Sequence, residues 1–174
     1  MIVIHPRQLA AADRAMLDSV VARRQAVIAI GEGELRGFAA ATALHSDWFA
    51  LSADGAISLD EIHSWSGAVW RIGRKALRLL LHGTEPVAAR DALGYGLVDA
   101  IVPRGKDSVQ WVEEWMRGRS ELAIDSAAAL IRRRGGDPLE RAEFARMFAI
   151  GEPQVGLSAF LAKRKPEWRS RDDG

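Results

Sequence analysis

At 174 residues the chain has the length of one domain, long enough to bury roughly two-thirds of the surface its unfolded form exposes. Its residues are 48% hydrophobic and 27% charged, its net charge is +1 and it has no cysteine. Those totals argue against a global field for nucleic acid and exclude disulfides, thiolate metal sites and thiol nucleophiles. No apolar run approaches the ~20 residues that span a bilayer, and "MIVIHPRQ" has no basic stretch ahead of its apolar start. A soluble, cytoplasmic protein is expected.

In chain order, "MIVIH" is short, β-branched and bounded by Pro6, which predicts a strand. Residues 9–24 place Leu9, Ala12, Met16 and Val20 on one face at helical spacing. "AVIAI" (Ala26 to Ile30) reads as a buried strand ending at Gly31, and "GEGELRG" turns the chain. "FAAATALHS" is a short helix and "WFALS" (Trp48 to Ser52) a second strand. After the Ala53-Asp54-Gly55 turn, "AISL" leads to Asp60-Glu61. From Trp65 the pattern is mostly helical, with an amphipathic segment from Arg71 to Leu81 closed by Gly83. Pro86 stands where a helix N1 residue would, and "VAARDALGYG" ends at Gly94 or Gly96. "LVDAIVP" is a last strand stopped by Pro103. Helices over 106–117, 120–134 and 138–150 follow, the third opened by the capping box Asp137-Pro138-x-Glu140. A final helix over roughly 154–164 stops at Pro166. Alternating strands and helices, then a helical end, predict an α/β fold. The division is residues 1–103 as α/β core and 104–174 as helical region.

Several local features have ordinary explanations. "AVIAIGEGELRG" has a strand followed by Gly31-x-Gly33, but the third glycine of a dinucleotide fingerprint comes one residue late at Gly37, so a tight turn is preferred. The four histidines, His5, His45, His63 and His82, show no metal-site spacing, so no metal is expected. "SWSGA" lacks the leading glycine of a nucleophile elbow. The arginines of "IRRRGG" complement a helix C-terminus. Trp111 and Trp115 are i, i+4 neighbours expected in a core. Five of the nine residues from Lys163 to Arg171 are basic, and this tail is the only support for a nucleic-acid binder, which ranks third.

Two stretches carry a more specific signal. "LLLHGTEPVAARDALGYGLVDAIVP" (Leu79 to Pro103) resembles the "L-T-G-x-x-h-x-A-x-x-A-x-x-x-G-L-V-x-x-V-V-P" region of the crotonase superfamily, the enoyl-CoA hydratase/isomerase family. "FLAKRKPEW" (Phe160 to Trp168) resembles that family's C-terminal "A-F-L-E-K-R-x-P-x-F". With "VIAI…G…D…LS…L-D-E" (Val27 to Glu61), the similarity runs over most of the chain from about residue 26. The resemblance implies an α/β, crotonase-like ββα spiral with a helical C-terminal trimerisation region. It implies an acyl-CoA or acyl-carrier-protein thioester as substrate, with no cofactor beyond the CoA itself. Assembly would be a homotrimer or hexamer, or a hetero-oligomer with a partner enzyme, with neither nucleic acid nor membrane involved.

Chemistry in that family rests on two backbone N–H groups forming an oxyanion hole around the thioester carbonyl, a preorganised electrostatic term of large effect. Acidic side chains then move protons. Matched without gaps, Val27-Ile28-Ala29 falls on the family's "V-I-A" strand, Gly33 on the "N-G" glycine and Gly37-Phe38-Ala39 on "G-G-G". Asp47 falls on the aspartate of "A-C-D", and Leu59-Asp60-Glu61 on "L-P-E". The resemblance therefore makes the Phe38 N–H the second oxyanion amide and Glu61 the general acid/base; the neighbouring Gly37 backbone is taken as a further donor and His63 as a second polar group. Apolar flanks, "AISL" and "I-H-S-W", would raise the Glu61 pKa toward a working value. The simpler alternative for Glu61 is a solvated helix N-terminus. Phe160, Lys163 and Lys165 would meet the substrate, the lysines at the CoA phosphates.

Departures from the family pattern are equally informative. The second hydratase glutamate is replaced by Ala41. The first oxyanion motif, "A-F-x-A-G-x-D-L", has no separate segment, unless "GFAAATAL" (Gly37 to Leu44) is set against it in a rival register. "HPRQLAAADRAMLDSV" still echoes the family's opening, so the loss is internal, about one spiral turn. The implied activity is hydratase/dehydratase, isomerase or decarboxylase chemistry through an enolate. The alternative is a catalytically weak or inactive accessory subunit that supports a partner enzyme.

Overall fold

The computed structural model describes residues 1–76, 79, 85–133 and 136–168. Contacts divide it into two units: Ile2–Arg23 with Val27–Trp115, and Met1 with Arg24–Ala26 and the chain from Met116. Of the expected features, His82, Gly83, Arg134, Gly135 and the terminal "RSRDDG" lie outside the described residues.

The first unit is built on a parallel sheet of four strands: β1 (Ile2–Ile4), β2 (Val27–Gly31), β4 (Trp48–Ser52) and β7 (Ala100–Val102), in the order β1-β2-β4-β7. Every residue of β2 is buried, as the unbroken apolar run requires of a strand covered on both faces. β1 pairs directly with β2, Ile2 opposite Val27 and Ile4 opposite Ala29. A second, small sheet holds β3 (Glu34–Leu35), β5 (Ala56–Ile57) and β6 (Val87–Ala88). Helix α3 (Gly37–His45) buries every residue from Ala39 to Leu44, and α4 (Ile62–Ile72) packs along it. The core joins Leu9 and Val20 to Leu44, Phe49, Leu51, Ile57 and Leu97.

Aspartates extend the ladder at the strand entrances. Val27 N–H donates to Asp47 Oδ2 at 2.7 Å while Asp47 N–H donates to Val27 O at 2.9 Å. The same exchange joins Phe49 and Asp99, at 2.7 and 2.8 Å. Arg71 of α4 adds its Nη1 to Asp99 Oδ2 at 2.9 Å and its Nε to Leu44 O at 3.1 Å, which ties α4 to β4.

Four expectations are corrected. The helix over 9–24 is two helices, α1 (Pro6–Ala10) and α2 (Arg14–Ala22), because Asp13 Oδ1 accepts Met16 N–H at 2.8 Å and starts a new helix. Val87–Ala88 does not open a helix but pairs antiparallel with Ala56–Ile57; α5 (Ala89–Tyr95) begins after it and Gly96, at φ +83°, ends it. Arg71 ends α4 rather than beginning a helix, and a 3₁₀ turn over Gly73–Ala76 follows. Helix α6 (Ser108–Met116) brings Trp115 onto Trp48, ring centroids 4.4 Å apart.

In the second unit lie α7 (Glu121–Arg132), α8 (Asp137–Ala149) and α9 (Glu152–Leu161). The fourth correction concerns α8: its N-cap is Gly136 and no side chain caps it, because Asp137 is already helical and pairs with Arg141 at 2.8 Å. Ser120 Oγ caps α7 and donates to the buried Glu152 carboxylate. Arg146, and secondarily Ser126, hold the Glu143 carboxyl below the usual carboxylate range. Helix α8 buries none of its residues, and Phe144, Leu157, Phe160 and Leu161 are all exposed. No helix among the described residues is long and apolar enough to cross a membrane.

Candidate active site

The first turn of α3 leaves amides without helical partners, as every helix start does. Ala39 and Ala40 N–H both reach Arg36 O, at 3.1 and 3.2 Å. The amides of Gly37 and Phe38, ahead of them, meet no acceptor among the described residues. Gly37 holds φ +51°, which favours glycine, and a Cβ there would come within 3.2 Å of Glu61 Oε1, so the carboxylate lies close against this backbone.

Glu61 occupies the N-cap position of α4, yet its side chain does not cap. Ser64 Oγ donates to the Glu61 backbone O at 2.7 Å, which satisfies none of the first-turn amides. The Glu61 carboxylate faces the start of α3, against Gly37. Two residues on, His63 stacks its ring on Phe38, centroids 5.5 Å apart and planes 21° from parallel. His63 Nε2 lies 3.5 Å from Arg14 Nη1. Arg14 is steadied from α2 by Asp18, whose two carboxylate oxygens accept from Nε at 3.0 and 3.1 Å.

Four of the expected site residues, Gly37, Phe38, Glu61 and His63, thus come together. One expectation about them fails: Glu61 is exposed, since "AISL" and "I-H-S-W" turn their large side chains elsewhere, Ile57 inward and Ile62 to solvent. Sequence reasoning missed Arg14, whose only signal was the i, i+4 spacing to Asp18. Ala41, in place of a glutamate, is fully buried, and its carbonyl meets His45 Nδ1 at 2.8 Å. His45 Nε2 lies 3.2 Å from Ser66 Oγ, so that histidine serves helix packing. No acidic or histidine cluster able to hold a metal occurs among the described residues.

The segment between β1 and β2 contains only α1 and α2, and β1 lies hydrogen-bonded on β2. No strand stands between them to carry a second amide-bearing loop. A cavity of about 560 Å³ opens elsewhere, at the ends of β2, β4 and β7, where Arg104 and Lys106 mix with Glu32 and Asp54. It includes none of the residues gathered at α3.

Phe160, Lys163 and Lys165 belong to the C-terminal unit. Phe160 is exposed near the end of α9, and Lys163 takes φ +52° in the turn that ends the helix. Both lysines are exposed. Trp168 folds back, donating Nε1–H to Gly118 O at 2.8 Å and covering Gly156, where a Cβ would come within 2.9 Å of the ring. "FLAKRKPEW" is therefore a folded return.

No protein-family model matches the chain. Solved structures align with it along nearly its whole length. An enoyl-CoA hydratase/isomerase family member matches with a TM-score of 0.75 over 89% of this chain, at 21% identity. An enoyl-CoA hydratase from Polaromonas sp. JS666 gives 0.73 over 88%, at 24% identity. An enoyl-CoA hydratase/isomerase from Marinobacter aquaeolei gives 0.68 over 93%, at 25% identity. The chain has a shortened crotonase fold. It spans 64% and 66% of the length of the first two of those chains. That span accords with β1 lying directly on β2.

Proposed function

We propose that the protein acts on an acyl thioester, of CoA or of a carrier protein, through an enolate. The Phe38 and Gly37 amides would receive the thioester oxygen, and Glu61 would move the proton. The observation that carries this reading is the Glu61 carboxylate set against Gly37 beside two amides that lack acceptors. Donors of this kind, fixed before reaction, stabilise charge as it develops. Buried Ala41 leaves one carboxylate, which favours one-base isomerisation or decarboxylation over the addition or loss of water by a carboxylate pair. His63 would orient the acyl group, and no cofactor beyond the CoA would be needed.

The Phe38 and Gly37 amides both come from one loop. Loss of the donor that the family's first oxyanion motif would supply costs about 10²–10³ in rate, so slow turnover is expected unless another chain completes the site. The direct β1–β2 pairing favours a second reading, an accessory subunit with little catalysis. A panel of enoyl-, β-hydroxyacyl- and carboxyacyl-CoA thioesters separates the two. Turnover of any member supports the enzyme; no turnover or binding, with a stable complex with another protein, supports the subunit.

Assembly into a homotrimer or hexamer would cover the apolar residues of α8 and α9, and Lys163 and Lys165 would meet CoA phosphates. Phe144 is 66% exposed and touches Phe148, ring centroids 4.7 Å apart. A surface of that kind marks an interaction site. Phe144→Asp should reduce the mass in light scattering from that of an oligomer to that of a monomer. Retention of the oligomer removes these helices from the interface.

A further inference from the structure

The reading above leaves one charged group at the site without a task. Arg14 comes from a distant helix, yet its guanidinium lies against His63, which is stacked on Phe38. We infer that Arg14 receives a carboxylate carried on the acyl chain, so that the substrate class is a carboxyacyl thioester. This rests on the proposed thioester chemistry and narrows it.

Contacts link the parts in turn: Glu61 lies against Gly37, the Phe38 ring stacks on that of His63, and His63 Nε2 lies beside Arg14 Nη1. A thioester carbonyl at the Gly37 and Phe38 amides would let the acyl chain run along the stacked rings toward Arg14. Glu61 would repel a second carboxylate from the carbonyl, and Arg14 would attract it. A carboxylate there would fix the direction in which the acyl chain lies.

The guanidinium also has donors to spare. Asp18 occupies only Nε, with both of its oxygens. The two terminal nitrogens carry four N–H groups, and the one contact they make among the described residues is Nη1 to His63 Nε2. Two parallel N–H groups are the arrangement that binds a carboxylate bidentately. If Arg14 served helix α2 alone, its Asp18 pair would suffice, since an exposed i, i+4 pair asks for no third partner.

The test compares crotonyl-CoA with glutaconyl-CoA, which adds a terminal carboxylate, by calorimetric binding at low salt to the full chain, Arg14→Met and Arg14→Lys. The wild-type chain should bind glutaconyl-CoA about tenfold more tightly. Arg14→Met should abolish that preference, and Arg14→Lys should keep part of it. Melting temperatures confirm that the exposed substitutions leave the fold intact. Equal wild-type affinities, or a preference that survives Arg14→Met, overturn this inference and leave the thioester reading standing. Binding of neither thioester also overturns this inference, and the thioester reading is then decided by the panel of thioesters described for it.

Discussion

Glu61→Gln lowers turnover of whichever thioester the protein converts by about 10²- to 10⁴-fold, the usual worth of a positioned acid/base. The substitution keeps size and shape and removes only the capacity to accept and return a proton. Its effect should fall on kcat, with KM little changed, because an amide can still lie against Gly37. Stability should not move: Glu61 does not cap α4 with its side chain, and the local hydrogen bond from Ser64 goes to its backbone carbonyl. The alternative, that Glu61 is only a favourable charge at the start of α3, predicts the reverse pattern. There the variant would lose a few tenths of a kcal/mol in stability, as surface charge at a helix end does, and turnover would be intact. Steady-state kinetics beside a thermal melt distinguishes them, and wild-type turnover in Glu61→Gln removes the residue from the chemistry.

Much of the fold was legible because burial and local chemistry agreed. The run Val27–Gly31 is apolar throughout and proves buried throughout; Trp48–Ser52 and Ala100–Val102 are strands as expected, the first paired with Val27–Gly31 and the second with Trp48–Ser52. Gly37 was legible through its match to a glycine motif, and its positive φ supplies the physical reason. Errors arose where one polar side chain outweighed periodicity. Asp13 restarts a helix that the spacing of Leu9, Met16 and Val20 would carry through. Val87–Ala88 is a strand only because Ala56–Ile57, some thirty residues earlier, offers it a partner. Exposure of Glu61 could not be read from its apolar flanks, because whether a flanking residue turns inward depends on where α4 begins. Arg14 was illegible for a related reason: 49 residues separate it from His63, and only the packing of α2 brings them within 3.5 Å.

Asp99→Ala should destabilise the first unit by about 2–4 kcal/mol, the largest effect expected from any single side chain outside the apolar core. Two donors depend on Asp99 Oδ2: the N–H of Phe49, a residue with no solvent exposure, and Arg71 Nη1. The Arg71 side chain is 7% exposed, so the loss leaves a buried guanidinium without its counter-charge, although Leu44 O and Ser46 O still accept from it. Asp99 itself is 33% exposed, which admits water to the vacated place and keeps the cost below that of a fully enclosed pair. Asp99→Asn, which retains an acceptor for Phe49 N–H, should cost roughly half as much. In a chain of this size the alanine variant should melt about 5–15 °C lower. Asp18→Ala, at an ion pair exposed by 60% and 63%, provides the contrast, with a change within about 0.5 kcal/mol. Urea unfolding of the three variants measures the order, and a loss below about 1 kcal/mol for Asp99→Ala would mean that Arg71 is satisfied without it. The consequence reaches the site. Arg71 ties α4 to Leu44 O, Ser46 O and Asp99, and Glu61 is the N-cap of α4, so a loosened Arg71 would loosen the helix that sets the carboxylate against Gly37.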